Sequence, residues 1–168
     1  IVFDMDETIG SFQFISVYYN ILLEIKRFSK KKEKEIFYKI LDKNKKIFRE
    51  NIFNIFNLVK KHKKEKNYDV ILYTNNNGNR QYSLNIIEYI HKKINFKLFD
   101  KIITHFGTNK IKREGEYKTY NDFIKLYNQN VKVLFFDDYN HMEMNHKNVN
   151  YILLKPYEYT INYLNYIK

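Results

Sequence analysis

Short apolar segments alternate with long helical segments along this chain, and several of the apolar segments end abruptly in polar residues. Five of them have the length and the Val, Ile and Phe content of β-strands. They cover residues 1–3, 69–74, 101–104, 131–136 and 150–154. Strands that alternate with helices predict a parallel sheet that is covered by helices on both faces. The sequence therefore predicts an α/β fold with a Rossmann-like parallel sheet of about five strands.

The other apolar residues recur at the three- and four-residue spacing of amphipathic helices. Residues 12–66 keep this period with few helix breakers, and further helices are predicted over 80–93, over 120–128 and after Pro156. A chain of 168 residues fits one domain with a proper core. We interpret residues 1–168 as a single domain in which 12–66 is a helical insertion or a minimal cap.

An acidic turn follows directly after the first predicted strand, with the pattern Asp4-x-Asp6-x-Thr8. A carboxylate can attack phosphorus and form an acyl phosphate, which is then hydrolysed. A second carboxylate two residues further on can protonate the leaving oxygen and afterwards activate water. Acidic turns after strands are common, so this pattern alone is also compatible with a purely structural role.

Polar residues also follow two later strands. Asp137 and Asp138 end the most apolar strand, where two adjacent carboxylates repel each other and a divalent cation relieves the cost. Thr74 ends the second strand, and Lys118 precedes the helix that leads into the Asp pair. Because the carboxyl ends of parallel strands share one edge of a sheet, we expect these side chains to converge with the acidic turn.

The order of these four segments resembles the four motifs of the haloacid dehalogenase (HAD) superfamily of phosphohydrolases. The first motif is similar to FDMDETIG, the second to ILYTNNNG, the third to Lys118 and the fourth to VLFFDDYN. The style of the motifs is closest to the branch of carboxy-terminal-domain phosphatases and magnesium-dependent phosphatases. The residues after the Asp pair, Tyr139-Asn140-His141, depart from the pattern of that branch.

The resemblance implies a role for each matching residue. Asp4 would be the nucleophile and Asp6 the general acid and base, while Thr8 would brace the acidic turn. The implied phosphate-binding set comprises the main-chain amide of Met5 together with Thr74, Asn75 and Lys118. The implied Mg²⁺ site comprises Asp4, the main-chain carbonyl of Asp6, Asp137 and Asp138, with Asp138 as a direct ligand and Asp137 bound directly or through water.

Two other groups of residues leave alternatives open. Lys110 and Lys112 compete with Lys118 for the third motif, and we favour Lys118 because it opens the predicted helix before the Asp pair. A transition-metal site is conceivable after the pair, where the sequence places His141, Glu143 and His146. Their spacing fits no standard helical pair of metal ligands, so we set this site aside.

The composition limits the partners and the location. A net charge of +11 favours polyanions, such as nucleic acid, acidic proteins or phosphorylated ligands. The absence of cysteine excludes disulfides, thiolate metal sites and a Cys nucleophile, and it is compatible with an intracellular location, cytoplasmic or nuclear. No apolar run approaches the roughly 20 residues of a membrane span, so we expect no membrane association.

We therefore expect a hydrolase of the phosphatase class that needs Mg²⁺ and forms an aspartyl-phosphate on a phosphoprotein or a small phosphoester. One alternative is a polynucleotide-end phosphatase, motivated by the charge and by the small cap. The other is a non-catalytic phosphate-binding module of the same fold. A receiver domain is excluded, because there the Asp pair follows the first strand and the Lys comes last.

Overall fold

The structure is a computed structural model that describes residues 1–25, 28–108, 110–127 and 130–160. Its strands are β1 (Val2–Phe3), β2 (Ile71–Tyr73), β3 (Lys101–Ile103), β4 (Val133–Asp137) and β5 (Val149–Leu153). Its α-helices are α1 (Gln13–Ile25), α2 (Lys30–Lys43), α3 (Ile52–Glu65), α4 (Arg80–Ile94) and α5 (Tyr120–Tyr127). Short 3₁₀ turns cover Lys45–Ile47 and Met142–Met144. The α/β prediction is confirmed. The helix predicted after Pro156 is not present up to residue 160, and the rest of that segment lies outside the described residues.

The five strands form one sheet in the order β3-β2-β1-β4-β5, and every neighbouring pair is parallel. The central strand, β1, contains only two residues but is paired on both sides. Val2 aligns with Ile71 of β2 on one side and with Phe135 of β4 on the other. The chain winds outwards from β1 in one direction to β3 and in the opposite direction from β4 to β5. Such a reversal of strand order opens a crevice at the carboxyl end of the central strands.

Both faces of the sheet are buried, as the continuous apolar runs of its strands predict. Side chains alternate between the faces along each strand. Phe3 and Leu72 belong to a core with helical residues from α1 to α4, whereas Val2 and Ile71 belong to a second core with residues of α5. Helices therefore cover both faces, which leaves the strand ends as the exposed edge of the sheet.

The helical segment between β1 and β2 covers one face of the sheet. Phe37 of α2 and Phe56 of α3 are fully buried in the same core as Phe3. The start of α1, with the residues before it, also borders a cavity next to Asp6. This segment is thus an insertion that contributes to the main core. Among the residues that the structure describes, no helix combines the length and apolar character needed to cross a membrane.

Candidate active site

The acidic turn begins where β1 ends, and the main chain of β4 fixes its first residue. The N–H of Asp4 donates a hydrogen bond of 2.9 Å to the carbonyl of Phe136. The turn then closes through the N–H of Ile9, which donates to the carbonyl of Met5 at 2.9 Å. Glu7 adopts a left-handed conformation with φ of 59°, which is uncommon for a residue with a side chain. The Met5 N–H donates to no acceptor among the described residues.

The outer side of this turn is held by Arg49, a residue of the helical segment. Its guanidinium donates 2.7 Å to the carbonyl of Thr8, 2.6 Å to that of Glu7 and 2.7 Å to that of Lys155. Tyr157 adds a main-chain hydrogen bond of 2.9 Å to the Glu7 carbonyl. Two of these four hydrogen bonds end on the carbonyl of the strained Glu7 and a third on its neighbour Thr8. Strained residues of this kind are concentrated at functional sites.

Lys118 lies between the carboxyl ends of β1 and β4 and is almost fully buried. Its Nζ donates 2.5 Å to Oδ1 of Asp4 and 2.6 Å to Oδ2 of Asp137. Burial alone would lower the pKa of Lys118, but the two carboxylates outweigh burial and raise it. Lys118 is therefore charged. Lys118 lies two residues before α5, which begins at Tyr120, the first residue of the helix predicted over 120–128.

Three carboxylates meet at this edge of the sheet. Asp4, Asp137 and Asp138 each offer an oxygen within 4.8 Å of the oxygens of the other two. Burial raises the pKa of Asp4, and the neighbouring Asp137 and Asp6 raise it further against the opposing effect of Lys118. One ammonium does not neutralise three carboxylates. A hard divalent cation with oxygen ligands such as Mg²⁺ fits this donor set.

The side chain of Asp6 contacts the loop after β2. Its Oδ2 accepts a hydrogen bond of 2.8 Å from Nδ2 of Asn76. Burial raises the pKa of Asp6 to about 6, although Asn76 and Lys118 oppose this shift. Asp6 therefore holds a proton more firmly than an exposed carboxyl group does. A carboxyl group in this state is suited to donate a proton.

The loop after β2 presents Thr74 and Asn75 to the same site. Thr74 is buried, and its Oγ1 accepts 3.1 Å from the N–H of Asn76 while its own hydrogen stays free to donate. Asn75 is held from behind by Arg113, whose Nη1 donates 2.5 Å to the Asn75 Oδ1. Asp122 at the start of α5 in turn accepts 2.9 Å from Nε of Arg113.

A cavity of about 370 Å³ opens over these groups. Seven of the residues predicted for the site line this cavity: Asp4, Asp6, Thr74, Asn75, Lys118, Asp137 and Asp138. Met5, predicted to bind phosphate through its main-chain amide, is fully buried and does not line this cavity. Lys110 is exposed and borders a different cavity beside β3, and Lys112 is also exposed. The geometry thus favours Lys118 for the third motif.

The structure adds a contact to each of two residues that the sequence analysis discussed. Thr8 braces more than its own turn, because its Oγ1 donates 2.8 Å to Oδ1 of Asp138. His141, which we set aside, is buried in the cavity wall with Nε2 3.7 Å from Oδ2 of Asp137. Glu143 and His146 do not line this cavity. Burial lowers the pKa of His141 to about 4, and Lys118 and Arg113 lower it further, so the ring is neutral.

Sequence reasoning missed three residues that organise the site: Arg49, Asn76 and Arg113. Asn76 lies within the run Asn75-Asn76-Asn77, in which nothing marks one residue. The two arginines lie in segments rich in charged residues, where a solvated side chain is the ordinary expectation. No spacing or periodicity could have identified them.

Comparison with known proteins adds no relative. No protein-family model matches the chain, and no curated protein matches it either.

Proposed function

We propose that the protein is a Mg²⁺-dependent phosphohydrolase that cleaves phosphomonoesters through an aspartyl-phosphate on Asp4. The observation that carries the proposal is the position of Asp4 at the end of the central strand, 2.5 Å from Lys118 and within 4.8 Å of the Asp137 and Asp138 oxygens. A nucleophilic carboxylate, a charged lysine and a divalent-cation donor set are the groups that phosphoryl transfer requires. The phosphorylated substrate would be a phosphoprotein or a small phosphoester.

In the first step, an oxygen of Asp4 attacks phosphorus and the bond from phosphorus to the leaving oxygen breaks. Asp6 lies two residues further on, and its carboxyl group donates the proton that the leaving oxygen needs. The Met5 N–H, the Thr74 hydroxyl and Lys118 Nζ are placed to bind the phosphoryl oxygens. Positioning and charge neutralisation by these groups lower the barrier.

In the second step, water attacks phosphorus and releases inorganic phosphate, while the carboxylate of Asp4 is regenerated. The ionised Asp6 accepts the proton of that water and returns to its initial state. Asp4, Asp137 and Asp138 would hold Mg²⁺, with the Asp6 carbonyl as a further oxygen ligand. Bound Mg²⁺ would supply neutralisation of charge on the phosphate oxygens.

The test is release of inorganic phosphate from phenyl phosphate, with Mg²⁺ and then with EDTA. We expect activity that requires the metal in the wild-type protein and is lost in Asp4→Asn. Asp42→Asn makes the same chemical change at an exposed position on α2 and is expected to retain activity. Asp4→Asn with the wild-type rate would contradict the covalent mechanism.

A binding measurement separates the phosphatase from a phosphate-binding module of the same fold. Beryllium fluoride imitates a phosphoryl group on a carboxylate, so with Mg²⁺ it should raise the melting temperature of the wild-type protein and not that of Asp4→Asn. Such stabilisation without turnover of any phosphomonoester would favour the binding module.

A further inference from the structure

A second cavity, of about 470 Å³, adjoins the catalytic cavity on the side of Asp6. The two cavities share the lining residues Asp6, Glu7 and Asn76. In the proposed reaction, Asp6 donates its proton to the leaving oxygen, so the rest of the leaving group must start from this point. The second cavity is therefore named here the leaving-group cavity. Its volume lies within the range of about 300–1,000 Å³ that is typical of small-molecule sites.

The wall of the leaving-group cavity is polar but carries no positive side chain. Eight of its lining residues are uncharged hydrogen-bonding residues, namely Ser11, Gln13, Ser16, Asn20, Asn76, Asn77, Asn79 and Tyr82. Its acidic members are Glu7 and Asp6, the latter carrying the proton that the leaving oxygen receives, and none of the described residues that line it is Lys or Arg. A second phosphate or a carboxylate on the leaving group would face these acids without a cation to compensate for it.

Several amides of this wall are available to a ligand. Gln13, Asn20 and Asn77 are exposed, and their side chains form no hydrogen bond with another residue in the described parts of the chain. An amide group offers both a donor and an acceptor, which is the pattern that a hydroxyl group matches. Neighbouring hydroxyls of one ligand could therefore be bound from α1 and from the loop after β2.

Helix N-termini also border the cavity, because α1 begins at Gln13 and α4 begins at Arg80 after the cap Asn79. Each terminus carries the equivalent of roughly half a positive charge. The cap of α4 is already used, since the Asn79 Oδ1 accepts 2.9 Å from the N–H of Gln81. The carboxylate of Glu7 in the cavity wall opposes the remaining partial charge. The electrostatic potential in the leaving-group cavity therefore does not favour the binding of an anion.

We propose that the natural substrate is a phosphomonoester of a small, uncharged, hydroxyl-bearing compound, such as a sugar, a polyol or a nucleoside, seated in the leaving-group cavity. This inference rests on the function proposed above. It excludes a polynucleotide end and an acidic phosphopeptide, because both carry further negative charge next to the reacting phosphate.

The net charge of +11 does not contradict this assignment. The larger of two grooves bounded by basic residues, about 720 Å³, lies beside β3 and includes Lys97, Lys101 and Lys110. It shares no lining residue with the catalytic or the leaving-group cavity. The other groove, about 680 Å³, lies behind the acidic turn and includes Lys45, Lys46 and Lys93. It shares no lining residue with the catalytic or the leaving-group cavity. The basic side chains that line these grooves therefore do not face the leaving group.

A matched pair of substrates tests the inference. Glycerol 3-phosphate and 3-phosphoglycerate are similar in size, but the second carries a carboxylate on its leaving group. We expect kcat/KM to be at least about tenfold higher for glycerol 3-phosphate, since like charges at an interface repel strongly. A 3′-phosphorylated oligonucleotide and an acidic phosphoserine peptide should be slower than glycerol 3-phosphate.

A charge introduced into the cavity should reduce this preference. Asn20→Lys is expected to lower the ratio of the two kcat/KM values several-fold, whereas Asn67→Lys adds the same charge near the opposite end of the sheet and should leave the ratio unchanged. The inference would be overturned by equal kcat/KM values for the two substrates or by faster cleavage of the oligonucleotide or the phosphoserine peptide. A ratio that Asn20→Lys leaves unchanged would also overturn it. Phenyl phosphate distinguishes the two failures. If it is hydrolysed, only the leaving-group inference falls, and absence of turnover on every phosphomonoester would overturn both proposals.

Discussion

Thr8 and Asp138 are 130 positions apart in the sequence, and a hydrogen bond of 2.8 Å joins the Thr8 hydroxyl to Oδ1 of the aspartate. Both residues lie where a central strand ends, and Thr8 is buried. The contact holds the carboxylate of Asp138, which offers an oxygen within 4.8 Å of oxygens of Asp4 and Asp137. Residues that orient metal ligands in this way affect metal affinity nearly as strongly as the ligands themselves.

The first prediction concerns this contact. Thr8→Val keeps the shape of the side chain and removes the hydroxyl, so the Mg²⁺ concentration that gives half-maximal activity should rise by about 10-fold or more. Thr8→Ser keeps the hydroxyl and should restore most of the affinity. A Mg²⁺ titration of phosphate release measures both variants. Equal Mg²⁺ dependence of Thr8→Val and the wild-type protein would show that the hydrogen bond does not position Asp138.

The second prediction concerns the buried cation. Lys118→Met leaves Asp4 and Asp137 without their common partner and should lower the free energy of unfolding by about 3–5 kcal/mol, as measured by urea denaturation without metal. Adding Asp4→Asn removes one of the repelling charges and should recover part of the loss. Lys110→Met removes an exposed lysine and is expected to stay within about 0.5 kcal/mol of the wild-type value. A Lys118→Met protein as stable as wild type would refute the charge argument.

The third prediction concerns the support of the acidic turn. Arg49→Met keeps much of the apolar stem but loses three hydrogen bonds to the carbonyls of Glu7, Thr8 and Lys155. We expect a loss of about 2–3 kcal/mol in unfolding free energy. The turnover number should fall by up to about 10²-fold, because the turn that carries both catalytic carboxylates shifts. Lys46→Met, on the same surface, serves as the control, and an unchanged turnover number in Arg49→Met would contradict this role.

The fourth prediction concerns pH and a histidine far from the carboxylates. Burial lowers the pKa of His91 to about 4, helped by Lys97 and Lys63, and its Nε2 accepts 3.1 Å from the N–H of Phe99. The unfolded chain, with a histidine pKa of about 6.5, binds the proton more readily. The stability due to neutral His91 is therefore fully present above pH 6.5 and is lost as the pH falls towards 4.

His91→Gln tests this dependence, since an amide can accept the same hydrogen bond without titrating. Urea unfolding at several pH values between 7 and 4 should show a shallower decline in stability for His91→Gln than for the wild-type protein. His62→Gln changes an exposed histidine on α3 and should follow the wild-type curve. Identical curves for His91→Gln and wild type would show that another group causes the decline.

Much of the fold could be predicted because its signals are local. Each strand is a short apolar run that ends in polar residues, and parallel strands bring those ends together without further information. This is why Asp4, Thr74 and Asp137 could be placed at one site before any geometry was known. The choice of Lys118 over Lys110 also followed from the order of elements.

The remaining contacts depend on the path of the loops, which the spacing of apolar residues in the sequence does not predict. Asn76 reaches Asp6 because the Thr74 hydroxyl accepts from the Asn76 N–H and curls the loop after β2. Arg113 reaches Asn75 from a loop that lies 38 positions away in the sequence. His141 enters the cavity wall through the turn after β4. Each of these contacts requires three-dimensional closure, so its sequence looks like any other polar segment.

The central position of β1 has a consequence for how the protein acquires its site. β1 is only two residues long, and its two neighbours come from segments that begin about 70 and about 130 residues later in the chain. Contacts between distant segments form slowly, because a long stretch of chain must be ordered before they are made. The carboxylates of the acidic turn therefore remain without Lys118, Asp137 and Asp138 until β4 has docked. A partly folded chain in which β4 has not docked would hold Asp4 without Lys118, Asp137 and Asp138, so the proposed chemistry would require β4 to be in place.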